Sequence, residues 1–383
     1  MSFCEAKTFI KKSKEYYEKG RQYSFSAQAA IQSAQLYGQA TTMRKAFILS
    51  ECEPPECDEK PYALLVANPT KGHHFIAQTE QRQNAFNLQV NPQNRNVYQW
   101  PLSRFDHHPR GEINSVNIEK NLEVNNLYTL TFVEGDGGQQ YNLETWFSRH
   151  ETGYEEACES LKLLAPGKQL ASPELHRILN LKILGLLRNP LIHRDYLVRE
   201  LTGALNRHLP QTGTEFRELI ARRPQERVSR ILKEFDFTLP GYTDWLADLY
   251  GMLSEGVFRP SLFARLTAAL TTDPNQIRLI LHRYPRSHRY CFFADSGYCL
   301  QADNTMLSIG FNIAADMFLI LQITRSHWHN LSNLLSETPP PAPQTPLTVM
   351  DNQHQQRLTF NRLCIRQAHH AVYGKSNQLS DFL

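Results

Sequence analysis

Apolar and aromatic positions recur at helical spacing from Ala6 to about Tyr37: Phe9, Tyr16 and Tyr17, then Ala27, Ala30, Ile31, Ala34 and Leu36, with Gly20 interrupting. This pattern predicts a helical hairpin over residues 1–50. It is like one tetratricopeptide unit with no second copy, which makes it an added cap rather than a solenoid. The acidic, proline-bearing run from Glu51 to Glu59 cannot form a regular element and marks a boundary. Short β-prone runs follow at Tyr62–Val66, Val97–Trp100, Leu127–Val133 and Tyr141–Leu143, with a hairpin signal at Glu134-Gly135-Asp136-Gly137-Gly138. Residues 60–150 therefore read as a β-rich segment.

From residue 151 to 289 the pattern turns helical. Caps are expected at Ser172-Pro173-Glu174 and Thr272-Asp273-Pro274, and breaks at Asn189-Pro190, Leu209-Pro210 and Leu239-Pro240-Gly241, leaving room for roughly six helices. Strand-like text returns over 290–335, at Tyr290–Phe293 and Met306–Phe311, before an apolar stretch from Met317 to Ile323. A stiff proline-rich linker spans 336–348, and 349–383 carries a last helix, Gln355 to Tyr373. The fold class expected is α+β: a small mixed sheet of N-terminal and C-terminal strands around a large helical middle, with the N-terminal hairpin added.

Composition narrows the setting. Hydrophobic residues make up 41% and charged residues 21% of 383, which excludes global disorder and predicts a globule. Seven scattered cysteines, an odd number, read as reduced thiols. With no secretory signal pattern after Met1 and no apolar run approaching the ~20 residues of a bilayer span, a cytoplasmic protein with no membrane partner is expected. A net charge of +3 points to no partner by itself. The distribution says more: Arg177 to Lys233 holds twelve Lys or Arg against five Asp or Glu, and Arg278 to Arg289 holds four arginines. Arg222, Arg223, Arg227, Arg230, Arg283, Arg286 and Arg289 are the candidates for contacting RNA or DNA, with Tyr284 and Tyr290 to stack on bases.

The strongest chemical candidate is the box Lys71-Gly72-His73-His74-Phe75-Ile76-Ala77-Gln78, which follows a turn at Asn68-Pro69-Thr70. On a strand the two histidines point to opposite faces, so one at most serves a given site. Gln78 and Arg82 lie at i+4 and i+8 from His74, on one face of a helix starting near Ile76. Histidine can move a proton near neutral pH, and an arginine beside it can stabilise an anionic transition state. His107-His108, in a charged loop, reads as solvent-exposed. Cys52 and Cys57 precede the box, but their spacing and the adjacent histidines depart from a tetrahedral zinc pattern, so no metal or cofactor is expected. The chain has no P-loop, G-x-G-x-x-G, G-x-S-x-G or H-E-x-x-H motif.

The box, with Asn96-Val97-Tyr98 downstream, resembles the opening of an uncharacterised bacterial domain-of-unknown-function family that begins with a His-His-aromatic-Ile/Val-Pro-Gln box and a Val-Tyr strand. Arg188-Asn189-Pro190 resembles that family's helical Arg-x-Pro element. Phe293-Ala294-Asp295-Ser296 resembles its Ser-Asp-Asn-Pro strand, and Phe360-Asn361 through Val372-Tyr373 resembles its closing helix. The resemblance covers roughly residues 70–375 and carries over His73 or His74, Gln78, Arg188 and Asp295 as site residues. The family's association with mobile and defence loci implies a toxin or nuclease. The expected function is then a bacterial defence or toxin-type enzyme cleaving RNA without a metal. In it His73 or His74 acts as general acid/base, Arg82 and Arg188 stabilise charge, and Asp295 orients a histidine. The alternative is a non-catalytic module that engages a partner protein or nucleic acid through the N-terminal hairpin and the basic helices.

Overall fold

The computed structural model describes residues 67–103, 109, 112–132, 140–209, 225–253, 260–285, 288–336 and 345–383. The expected N-terminal hairpin, the strand at Tyr62–Val66, Cys52, Cys57, His107, His108, the glycine-rich turn after Val133 and most of the proline-rich linker lie outside the described residues.

The strands are β1 (Ala67–Asn68), β2 (Gly72–His74), β3 (Asn96–Pro101), β4 (Asn114–Asn117), β5 (Glu123–Asn125), β6 (Thr129–Phe132), β7 (Gln140–Asn142) and β8 (Gly167–Leu170). After a helical stretch come β9 (Ile277–Arg283), β10 (Phe293–Ala294), β11 (Cys299–Ala302), β12 (Met306–Ala314), β13 (Met317–Thr324), β14 (Pro346–Asp351) and β15 (Ala371–Gly374). The helices used below are α1 (Gln78–Arg82), α2 (Glu144–Glu151), α3 (Tyr154–Lys162), α4 (Pro173–Arg188) and α5 (His354–Gln367). Further helices at Tyr196–Asn206, Gln225–Glu234, Leu239–Leu253 and Leu262–Ala269 complete the middle of the chain.

The architecture is α+β, as the pattern predicts. A four-stranded sheet, β10-β15-β3-β4, does join N-terminal and C-terminal strands: Val372 faces Trp100 and Phe293 faces Tyr373. The largest sheet is a different one. It has six strands in the order β11-β12-β13-β9-β14-β8 and is mixed, because β14 runs parallel to β9 while the other pairs are antiparallel. Its register aligns apolar rows across four strands, Ile309, Leu321, Leu279 and Leu347, then Phe311, Leu319, Leu281 and Val349, all buried. The opposite face is covered by α5, whose Phe360 stacks on Phe318 at 4.2 Å. Gly310 is required there, since a β-carbon would lie 2.7 Å from the Cys299 sulfur and 3.1 Å from the Phe360 ring.

Several expectations are corrected. The linker expected over 336–348 gives way at Pro346 to β14, with Leu347 buried in the sheet, and the segment expected to be helical over 151–289 contains β8. Thr272-Asp273-Pro274 opens no helix: Asp273 accepts from the Asn275 amide at 2.9 Å in a turn that leads into β9. The period-two placement of Ile277, Leu279 and Leu281 selects a strand. The last helix stops at Gln367, and Ala371–Gly374 pairs with β3 and β10 instead of continuing it.

Helix α4 runs through the core. Ser172 caps it, accepting from the Leu175 amide at 3.3 Å, Pro173 starts its first turn, and Asn189-Pro190 ends it. Its leucines and isoleucines are buried on nearly every side, each worth ~1.5–3 kcal/mol of burial. Two cations are buried with them, Lys182 and Arg188. Lys182 is answered by Glu80 of α1, and Arg188 by Glu151 of α2.

Candidate functional site

Strand β2 is three residues long and pairs with β5, His73 facing Val124 and His74 facing Glu123. The pleat sends the two histidines to opposite faces, as expected. His73 is fully buried. Its Nδ1 accepts from the Tyr128 backbone N–H at 2.8 Å, so Nε2 carries the proton and donates to the Thr70 carbonyl at 3.1 Å. The ring also stacks on Tyr128 with centroids 5.6 Å apart. Burial lowers its pKa to about 4, against an opposing pull from the Thr70 carbonyl. With both nitrogens held by backbone, His73 ties β2 to its neighbours and has no lone pair for a reacting group.

His74 faces a polar cluster. Nδ1 donates to the Asn121 carbonyl at 3.1 Å, and Nε2 accepts from the Gln78 amide at 2.8 Å. Gln78 in turn accepts from Arg82 at 3.4 Å, and Arg82 pairs with Glu155 of α3 at 3.3 Å. Gln78 and Arg82 thus share one face of α1. Glu123 brings a carboxylate oxygen to 3.8 Å from Nε2, in space that a side chain at Gly72 would fill. Burial holds His74 near pKa 4, with the Asn121 carbonyl and Glu151 opposing and Arg188 adding. His74 is therefore neutral at pH 7.

Distant segments meet through Tyr128, whose ring stacks on His73 and whose hydroxyl donates to the Arg188 carbonyl at 2.9 Å. Arg188, at the end of α4, is fully buried; it donates to Glu151 at 2.8 Å and lies over the Phe147 ring at 4.9 Å. Its Nε and Nη2 are buried without a hydrogen-bond partner. Burial alone would lower its pKa, but Glu151, Tyr128 and Glu144 hold it above its ordinary value. Glu144 and Glu151 are seven residues apart on α2, two turns along one face, with Phe147 between them. Burial raises the Glu144 carboxyl to about 8, outweighing the pull of Arg188, and Glu151 adds to the rise. One Glu144 oxygen is buried and unpartnered. The result is a neutral imidazole, a protonated carboxyl and an ion-paired carboxylate around a buried guanidinium.

Reading the sequence missed Glu123, Glu144 and Glu151. The acid pair was visible as an i, i+7 repeat flanking Phe147; Glu123 depends on strand pairing and left no local signal.

Asp295 does not join this cluster. Its segment comes close, for Asn189 donates to the Asp295 carbonyl at 2.8 Å. Its carboxylate, however, accepts from three backbone amides, His369 at 2.8 Å, His370 at 2.6 Å and Ala371 at 3.0 Å. Asp295 therefore orients a histidine other than the expected pair. It fixes the main chain at His369, whose Nε2 lies 3.3 Å from Asp195 Oδ2, an oxygen that also accepts from the Tyr298 hydroxyl at 3.1 Å.

Among the described residues the basic candidates do not form one surface. Arg283 is buried and saturated, bidentate to Asp351 at 2.9 and 3.2 Å and donating to the carbonyls of Leu161, Lys162 and Leu164. It holds no phosphate, because its donors are spent inside the fold. Arg230 is exposed and pairs with Glu234 one turn on, and Arg289 donates to the Ser380 carbonyl. Arg222, Arg223 and Arg286, and the side chain of Arg227, lie outside the described residues. Tyr284 is buried with its hydroxyl on the Gln353 carbonyl, out of reach of a base; Tyr290 is half-buried.

Among the described residues no group of three or more His, Cys, Asp and Glu could hold a metal ion, and no helix is long and apolar enough to cross a membrane. No protein-family model, curated protein or solved structure matches the chain.

Proposed function

We propose that the chain is an acid–base enzyme that cleaves RNA phosphodiesters in bacterial defence or toxicity, with its centre at His74, Glu144, Glu151 and Arg188. The observation that carries this reading is the split between the acids of α2: Glu144 holds its proton up to pH about 8, while Glu151 is paired to Arg188. Once the Gln78 amide releases Nε2, neutral His74 takes the proton of a ribose 2′-hydroxyl as its oxygen attacks phosphorus. Glu144 gives its proton to the departing 5′-oxygen, and the buried Arg188 guanidinium stabilises the added negative charge through its field from within the fold. Glu151 positions Arg188.

Inducible expression with RNA, DNA and growth followed together tests this. Loss of RNA and growth in the parent chain, abolished by Glu144→Gln and by His74→Ala at unchanged fold, supports the enzyme. Intact RNA and DNA with normal growth in the parent chain would sink it in favour of a binding module. The specific observation favouring that second reading is that Gln78 and Asn121 already occupy both ring nitrogens of His74.

A further inference from the structure

A cleft of about 490 Å³ lies beside the histidine box, at the far end of the chain of contacts that runs from His74 through Gln78 to Arg82. That volume suits a small organic ligand. Its charged lining is partly self-neutralised. Arg82 is paired with Glu155 at 3.3 Å and Lys162 with Glu159 at 2.7 Å. Four lining groups remain. Arg95 and Lys375 form no ion pair among the described residues, and the Nε of Arg95 is buried without a partner. The carboxylates of Asp316 and Glu156 accept no hydrogen bond among the described residues, although Asp316 lies near enough to Lys162 to help raise its pKa.

The fold sets these groups in a definite order. Arg95 precedes β3 and Lys375 follows β15, and the pairing of Gly374 with Tyr98 puts both cations at the same end of that sheet. Lys375 reaches over the half-buried ring of Tyr290, its Nζ 5.8 Å from the ring centre. Asp316 follows β12 and lies beside the tyrosine segment, its backbone carbonyl accepting from the Tyr284 amide at 2.9 Å. Two cations, an aromatic face and an acceptor carboxylate match three features by which a nucleotide is recognised: its phosphate, its base plane, and a base edge that donates hydrogen bonds.

We infer that this cleft binds a nucleoside monophosphate whose base carries an exocyclic amine: the phosphate draws Lys375 off the Tyr290 ring and sits on it and Arg95, the base takes the ring face so vacated, and the amine meets Asp316. Guanine fits this best, because its ring N–H and exocyclic amine both donate to one carboxylate. Uracil has no exocyclic amine and cannot make that contact. The site is separate from the Glu144–Arg188 centre and stands whether or not that centre is catalytic.

Titration calorimetry of the full chain with GMP, UMP and inorganic phosphate tests the inference. GMP is expected to bind about tenfold or more tightly than UMP, the discrimination of one good pair of hydrogen bonds. The double variant Arg95→Ala/Lys375→Ala should lose binding of both nucleotides. Asp316→Asn should erase the preference for GMP while keeping UMP binding, an outcome that a loss of folding does not produce. Absence of GMP binding at millimolar concentration would overturn the inference. So would phosphate binding as tightly as GMP, or an Asp316→Asn variant that still prefers GMP.

Discussion

Replacing Glu144 by Gln should make the protein more stable, by an amount that depends on pH. The carboxyl titrates at about 8 in the fold against 4.5 in the unfolded chain. Above pH 4.5 the unfolded chain is free to ionise this group and the folded chain is not, so folding carries a penalty that grows with pH until about 8. By linkage the penalty is about 3 kcal/mol at pH 7 and falls below about 1 kcal/mol at pH 5. A carboxamide in its place does not ionise in either state, so the variant escapes the penalty while keeping the shape of the side chain. Urea unfolding of both proteins at pH 5, 6, 7 and 8 measures the difference directly. A gap in favour of Glu144→Gln that widens with pH is the expected result. A gap that is zero, reversed or independent of pH would mean that the carboxyl is ionised in the fold, and the acid assigned to the reaction would be lost with it. On the proposed mechanism the same substitution abolishes RNA cleavage, so a gain in stability would accompany a loss of activity.

Other outcomes follow from the same geometry. In the Glu144→Gln background, stability should fall as pH drops from 6.5 toward 4, because His73 and His74 stay neutral in the fold while the unfolded chain takes up protons; each contributes about 2 kcal/mol by pH 5. A stability flat between pH 7 and 5 refutes that. Glu151→Ala leaves a fully buried guanidinium unpaired and should cost about 3 kcal/mol in urea unfolding, most of it recovered in Glu151→Leu/Arg188→Met; a single-variant loss under about 1 kcal/mol contradicts the buried pair. The hydrogen bond to Asp195 raises the pKa of His369, so its small contribution to stability is present below 6.5 and lost as pH rises through the folded value. NMR titration of Asp195→Asn should show that pKa fall, and an unchanged value would remove Asp195 as the cause.

How much of this was legible in the sequence depended on how local the cause was. Ser172-Pro173 carries its own capping chemistry, and the opposite faces of His73 and His74 follow from the pleat alone. Ile277, Leu279 and Leu281 also state their strand locally, but within a helical stretch that masked them. Asp295 was expected to orient a histidine of the box because nothing near it reveals that its partners are amides at residues 369–371. Counting arginines could not place Arg283 in the interior, since the carbonyls that bind it belong to the end of α3 and the segment after it, some 120 residues earlier. Within the site, the box and Arg188 were named from the sequence; the acids beside them were not.

The pairing of β15 with β3 joins residues 371–374 to 98–101 across most of the described chain. On a ribosome, β3 and β4 emerge long before the strand that must lie beside them. Until residue 371 is made, β3 presents an open edge, and the cations that frame the nucleotide cleft are unassembled. Assembly of this sheet therefore waits on the synthesis of residues 371–374 rather than on local folding, and the waiting edge is where a chaperone would be needed and where aggregation would begin.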